Sequence, residues 1–434
     1  MKKIMSIVLV FAMMLTVFTG CGDSKKNGVE DIQESQVITN LTEPVEIVIW
    51  HTLAEHHQAA FEKIISDYNA SQDMITVVAK SQPYQDYFAK LMQAVRNGTG
   101  PDLVTAFPTE AVNYMDDDLL VDFAPYINNE EIGINNFKEN ISGELYGEIT
   151  QWDKDSIYMI PALTTSEVLF YNKTIYDELN LTPPTTWKEV EDNSRIILQE
   201  KGIPGFGTDS IVDTYQGLIR QAGSDYIDPV SKTVKFNNEI GLEKLTWFAD
   251  GVKEGIFRLV GEDTYFSNPF GSQAIASYVG SSAGVQYVLD AAADKFEVGC
   301  VQLPQSGPNK FISSWGSYYV GFKSTDEKAF AVYDFLKYLT SPDVLSSWAI
   351  SFGAIPSFKD AQNTPEFVEY TKENIAVKAL SESIENISYL NSILGSSSVR
   401  THIDKMIQEV SMGLSDPQQA LDECEKASNA DLNQ

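Results

Sequence analysis

Between Val45 and Phe107 the hydrophobic pattern switches repeatedly between two periods, and few folds satisfy both. Val45-Glu-Ile-Val-Ile-Trp50 is a strand-like run. Phe61, Ile64, Ile65 and Tyr68 then recur at helical spacing, which puts them on one face of a helix. Ile75-Thr-Val-Val-Ala79 reads as a second strand, and Phe88, Leu91, Met92 and Val95 repeat the helical spacing. The turn Asn97-Gly-Thr-Gly-Pro101 releases a third strand from Asp102 to Phe107. Strand, helix, strand, helix, strand at this spacing predicts an α/β fold with a parallel sheet and right-handed crossovers. In open α/β sheets ligands lie beyond the carboxyl ends of the strands, near a switch in strand order. Those ends make Trp50, His51, Phe107 and Glu110 the first site candidates.

Further along, Met159-Ile-Pro161 reads as a crossing segment, and a second unit starts at Glu167-Val-Leu-Phe-Tyr171. Thr186-Trp-Lys-Glu189 has the form of a capping box and marks a helix start. Strands are expected at Ala274 to Val279 and at Phe296 to Leu303. Ser313-Ser-Trp-Gly-Ser317 reads as a polar loop before a strand from Tyr318 to Phe322. Phe330, Tyr333, Leu336 and Leu339 form the apolar face of a helix from Glu327 to Leu339. The remainder to about Ala427 is expected to be mostly helical, with no internal repeat.

The amino terminus places the chain outside the cytoplasm. Met1-Lys2-Lys3 is basic, Ile4 to Phe18 is almost wholly apolar, and Phe18-Thr-Gly-Cys21 follows. This is the order of a secretory signal, and the apolar run is too short to span a membrane comfortably. The last four residues resemble the lipobox of bacterial lipoproteins, with Phe18 where leucine is usual. The resemblance implies removal of residues 1–20, lipid attachment at Cys21 and tethering to the outer face of a bacterial membrane. Residues 21–43 are polar and read as a flexible tether. A net charge of −30, with 61 acidic against 31 basic side chains, and the lack of a basic stripe exclude nucleic acid as a partner. Cys300 and Cys424 are too few and too distant for a disulfide scaffold. The chain is long enough for two or three domains, and a monomer is expected.

Several segments together resemble the extracellular solute-binding proteins of ATP-driven importers, the family that includes maltose-binding protein. They are Ile160-Pro-Ala-Leu-Thr-Thr-Ser-Glu-Val-Leu-Phe-Tyr-Asn-Lys173 and Leu181-Thr-Pro-Pro-Thr-Thr-Trp-Lys-Glu-Val190, with Ile49-Trp-His51, Gly98 to Leu103 and Asp416 to Leu421 in register. The resemblance implies a two-lobe periplasmic-binding-protein-like fold with a ligand cleft between lobes joined by crossing hinge segments. Lobe one would comprise residues 45–160 plus 306–339, and lobe two residues 161–305 plus 340–427. It also implies a binding protein rather than an enzyme, with no cofactor, whose partners are the transmembrane permease subunits of an ABC importer.

Within that family the segments are most similar to the branch that binds glycerol-3-phosphate and its diesters. Tyr84, Thr164, Thr165, Ser281, Ser282, Trp315, Gly316 and Arg400 match its ligand-contacting regions. Two departures stand out. Gly353-Ala-Ile-Pro356 lacks the branch's tyrosine, and its paired tryptophans fall against Asp209 to Tyr215, which has two acids and no tryptophan. A phosphate beside Asp209 and Asp213 would be poorly served. A neutral carbohydrate or polyol is therefore the preferred ligand, with glycerol-3-phosphate or its diesters second.

Sugar sites combine aromatic faces with carboxylates and amides. Trp50, Tyr84, Phe107 and Trp315 would supply faces, while Glu110, Asp209, Asp213, Thr164 and Ser282 would supply acceptors and donors. Arg400 is either a hydrogen-bonding fork in the cleft or half of a structural ion pair. His51, His56 and His57 with Glu55 fit no established zinc spacing. Asp116-Asp-Asp118 lacks the rest of a calcium loop, so no metal is expected. Gly280-Ser-Ser-Ala-Gly284 fits the G-x-S-x-G pattern, so a secreted hydrolase using Ser282 and His402 is the competing class. The following residues read better as a helix whose amino terminus faces ligand oxygens. A sensory or adhesive lipoprotein would share the binding chemistry without an importer.

Overall fold

The computed structural model describes residues 37–53, 55–83 and 87–434, apart from the side chains of Glu55 and His56. The expectations for the signal segment, Cys21, residues 21–36 of the tether and Tyr84 lie outside the described residues. In chain order the strands are β1 (Val45–His51), β2 (Ile75–Ser81), β3 (Leu103–Ala106), β4 (Ile160–Thr165) and β5 (Glu167–Asn172). There follow β6 (Phe206–Thr208), the small hairpin β7 (Ile227–Asp228) and β8 (Thr233–Val234), then β9 (Phe257–Arg258) and β10 (Ser277–Ser281). The last are β11 (Val298–Gln302), β12 (Ile312–Ser313), β13 (Trp315–Gly321), β14 (Ile355–Pro356) and β15 (Ile387–Ser388).

The alternating pattern builds the first sheet. β1 lies between β2 and β3 and is parallel to both. Ile47, Ile49 and His51 share its buried face, over the helix Asp326–Leu339. β13, β4 and β14 extend the sheet antiparallel, giving the order β14-β4-β13-β3-β1-β2. The sheet is therefore mixed, because late segments of the chain return to complete it. The second sheet has the order β11-β5-β10-β6-β9. β5 is buried along its whole length between antiparallel neighbours, which explains its unbroken apolar run.

The chain changes sheet at Ser166, the single residue between β4 and β5. The expected lobe change after Ile160 is thus displaced, because β4 pairs with β13 over Ile160 to Thr165. Ser166 Oγ donates to the Ser313 carbonyl at 2.5 Å, and the Ser282 N–H donates to the Ser166 carbonyl at 2.9 Å. Two passages between the sheets, at Ser166 and at Ser313–Ser314, are therefore fastened side by side.

The tail also divides differently from the expected boundary at residue 340. The helix Pro342–Phe352 packs on the helix Glu55–Ser71, with Trp348 buried 5.5 Å from the Phe61 ring, and leads into β14 of the first sheet. Gly353 closes that helix at φ 74°, a conformation glycine adopts without a side-chain clash. The chain rejoins the second sheet with Ile375–Ser381, which packs on β5 and β11. Ser396–Ser411 and Pro417–Leu432 then pack on Glu239–Glu254. An apolar helical stripe shows that a helix packs, but not on which core. Trp315, expected in a loop, begins β13 because its backbone pairs with Thr165. The Thr186 capping box forms: Thr186 Oγ1 accepts the Glu189 N–H at 3.2 Å and Glu189 Oε2 accepts the Thr186 N–H at 3.0 Å. Among the described residues no helix is long and apolar enough to cross a membrane.

Candidate functional site

Two adjoining cavities of about 360 Å³ each lie between the sheets and share Phe88, Phe107, Tyr265 and Trp315 in their walls. One is polar. Phe107 follows β3 and takes the N-cap position of the helix Pro108–Asp116, whose proline at the first position suits its start and whose first turn carries Glu110. Across from it, Ser210 caps the helix Ile211–Gln221, placing Asp213 in the first turn and Gln216 one turn later. The tail helix Ser396–Ser411 brings Arg400, and the short helix Gly143–Ile149 brings Glu148.

The centre of this polar chamber is a fork. Arg400 Nη1 and Nη2 donate to Asp213 Oδ1 and Oδ2 at 2.7 and 2.8 Å, and Nη1 also reaches Gln216 Oε1 at 3.2 Å. Burial by itself would push the Asp213 carboxyl up. The Arg400 charge and its two hydrogen bonds overcome that and hold Asp213 below the ordinary carboxylate range. Arg400 is held above its ordinary value, the charge and hydrogen bonds of Asp213 outweighing the larger opposing effect of burial. Glu110 has no such partner. Burial raises its pKa, against a Thr109 hydroxyl that donates to Oε2 at 2.9 Å and the charge of Arg400. Glu148 is pushed up to about 7 by burial, although Tyr318 and Ser314 both donate to its Oε2.

The second chamber is aromatic. Its wall takes Trp50 and His51 from the end of β1, Trp315 and Gly316 from β13, and Trp348 and Phe352 from the helix before β14. Thr165 and Ser281 also reach it. Thr165 Oγ1 donates to the Trp315 carbonyl at 2.8 Å, which fixes the strand that carries the tryptophan. His51 is buried, and burial lowers its pKa. Its Nδ1 accepts the Leu53 N–H at 3.3 Å, while Nε2 is buried with no hydrogen-bond partner among the described residues.

The structure thus gathers Phe107, Glu110, Asp213, Trp315 and Arg400 in one chamber and Trp50, His51, Thr165, Ser281 and Gly316 in the other. Three sequence candidates fall elsewhere. The Thr164 hydroxyl is bonded to that of Ser357 at 3.1 Å. Asp209 lines a separate cavity with Asp404 and Met412, and Oδ1 accepts the Phe266 N–H at 2.7 Å. It precedes the helix start that turns Asp213 into the cleft. Ser282 is completely buried in the turn before the helix Val285–Ala292, and its Oγ has no hydrogen-bond partner among the described residues. His402, the base required by the hydrolase reading, is instead bonded through Nε2 to Asp431 at 2.8 Å. Among the described residues no group of three or more His, Cys, Asp and Glu is placed to hold a metal ion, and the His57 ring stacks on Phe352 at 4.4 Å.

Sequence reasoning missed Glu148, Gln216 and Tyr226, all in the polar wall. Gln216 was accessible, being one helical turn from Asp213. Glu148 sits in no motif.

Two α/β sheets, short passages between them and a walled cleft at those passages define a two-lobed solute-binding protein. The sequence profile of the bacterial extracellular solute-binding proteins matches residues 63–375, and the chain belongs to that family. Its members bind solutes for ABC importers and are not enzymes. The sn-glycerol-3-phosphate-binding periplasmic protein UgpB of Yersinia pseudotuberculosis is 21% identical over 397 residues, covering 87% of this chain and 90% of the relative. UgpB from Mycobacterium tuberculosis, solved in complex with glycerophosphocholine, matches with a TM-score of 0.77 at 17% identity, over 90% of this chain and 98% of that one. Lmo0181 from Listeria monocytogenes, solved in complex with cycloalternan, matches with a TM-score of 0.78 at 17% identity, over 90% and 100%.

Proposed function

We propose that this protein captures a neutral carbohydrate or polyol in the cleft, closes over it, and delivers it to the transmembrane subunits of an importer. The observation that carries this reading is the engagement of Arg400. Among the described residues Arg400 is the only Lys or Arg in the walls of the two chambers, and Asp213 takes both arms of its fork. A phosphate group there would meet Glu110, Glu148 and Asp213 with no free cation, whereas sugar hydroxyls can both donate to carboxylates and accept from Arg400 and Gln216. The aromatic walls suit the C–H faces of a sugar ring.

Residues 45–165 with 315–373, and residues 167–302 with the tail from 375, would act as the two moving bodies, with Ser166 and Ser313–Ser314 as hinges. Removal of residues 1–20 and acylation of Cys21 would tether the protein to the extracytoplasmic face of a bacterial membrane; Cys21→Ala should abolish its labelling by a fatty acid. Capture of glycerol-3-phosphate or a diester is the second reading, supported by the relatives named for that solute.

A thermal-shift panel of oligosaccharides, polyols, glycerol-3-phosphate and its diesters separates the two. A ligand specific to the folded state, at a hundredfold excess over its Kd, adds about 2.7 kcal/mol. A shift with sugars and none with phosphate esters supports the first reading, and the converse supports the second.

A further inference from the structure

We propose that Glu148 is a specificity-determining residue of the cleft: its carboxylate accepts a ligand hydroxyl and excludes anionic solutes from the Trp315 end. The inference rests on the solute-binding reading above. Glu148 is 4% exposed and yet forms part of the polar wall. Its two oxygens are treated unequally. Oε2 accepts from the Tyr318 hydroxyl and from Ser314 Oγ at 2.9 Å, whereas Oε1 makes no hydrogen bond among the described residues. Two donors on one oxygen fix the carboxylate plane and leave the other oxygen for a donor from the cavity, which a sugar hydroxyl provides and a phosphate oxygen does not.

The placement also ties this carboxylate to the hinge. Ser314 lies between β12 and β13, next to the Ser313 carbonyl that accepts from Ser166, and Trp315 follows it. Ligand held by Glu148 would therefore bear on the strand that carries Trp315. Among the described residues no Lys or Arg pairs with Glu148, and Arg400 is engaged by Asp213. The other titratable groups facing Glu148 are Glu144 from its own helix, Tyr389 beside β15, and Tyr318 from β13. Glu110 and Asp213 share the chamber. Burial, the larger influence, and Glu144 both favour the neutral form of Glu148, so exclusion of anions should relax on mild acidification.

The test compares wild type and Glu148→Gln in calorimetric titrations with maltose and with glycerophosphoglycerol, a diester whose single charge does not titrate between pH 5 and 8. At pH 8 the variant should bind the diester at least tenfold more tightly than wild type, and the gap should close by pH 5.5. Any maltose binding by wild type should weaken severalfold in the variant. Equal diester affinities at pH 8, a gap that ignores pH, or unchanged maltose affinity would each overturn the proposal. So would undetectable diester binding by both proteins, because removing the repelling charge would then admit nothing. Tight diester binding by wild type would sink the neutral-solute reading, leaving Glu148 to be judged by the ratio of variant to wild type alone. Should Glu148→Gln not fold, the wild-type pH profile and Tyr318→Phe decide: wild type must exclude the diester at pH 8 and admit it on acidification, and Tyr318→Phe, which removes a donor that favours the charged carboxylate, must admit it at a higher pH than wild type does.

Discussion

The polar and aromatic chambers share four side chains but are assembled in different ways. The aromatic chamber grows from strand ends: Trp50 and His51 close β1, and Trp315 and Gly316 open β13. Its residues are positioned by ladders of backbone hydrogen bonds and by ring packing. The polar chamber draws on helix termini and a tail helix, and its central contact joins residues 187 apart in the chain. Its parts are held by charge. On the proposed function the two would divide the labour: one chamber would offer a shaped apolar surface and the other would select among polar groups.

Arg400→Ala breaks the polar chamber and should have the largest effect. It leaves Asp213, which is 2% exposed, as an unpaired buried carboxylate, at a cost of about 3–5 kcal/mol. The pH dependence gives a signature. Asp213 is held below its unfolded value, so its contribution to stability is present above that value and is lost as pH falls through the lower folded value. Wild type should therefore lose stability on acidification below about pH 4. Arg400→Ala should instead recover stability when acidified, because protonation relieves the orphaned charge. Denaturant melts at a series of pH values measure both.

Trp315→Ala tests the wall common to both chambers. It should weaken binding by about 2 kcal/mol with little change in stability, as for an aromatic anchor at the centre of an interface. An unchanged Kd would make Trp315 a packing residue and separate the chambers functionally. Trp50→Ala touches the aromatic chamber alone, and about 1 kcal/mol of affinity should go. If Trp50→Ala costs more than Trp315→Ala in the same titrations, the aromatic chamber is the main site and the polar one its annex.

Asp209→Asn should leave affinity unaltered, since Asp209 lies outside both chambers. Burial pushes its pKa to about 7 against a hydrogen bond from the Phe266 N–H. From the ordinary carboxylate range up to about 7 the folded chain keeps a proton that the unfolded chain releases, so stability falls as pH rises across that window. The variant should remove this slope and gain on the order of 1 kcal/mol at pH 8. A lost slope with a changed Kd would return Asp209 to the site.

Sequence reasoning reached the aromatic chamber through one rule, that ligands gather beyond strand ends, and Trp50, His51 and Phe107 lie there. It reached Asp213 and Arg400 only through resemblance, and the same resemblance proposed Asp209, Thr164 and Ser282, which face elsewhere. The difference is local backbone geometry: Asp209 lies outside the helix and Asp213 inside its first turn. Glu148 was invisible because nothing in its neighbours along the chain announces burial between Tyr318 and Ser314.

By itself the sequence determined the elements: the alternating strands and helices up to β3, the apolar run of β5 and the Thr186 capping box follow from periodicity and local hydrogen bonding. The family, too, was written in short segments spread along the chain. Only the tertiary structure decided which core the helix Pro342–Phe352 joins, that Trp315 starts a strand, and that Arg400 meets Asp213. Periodicity reports how a segment turns about its own axis. A meeting of side chains 187 residues apart depends on how whole helices pack, and no local pattern encodes that.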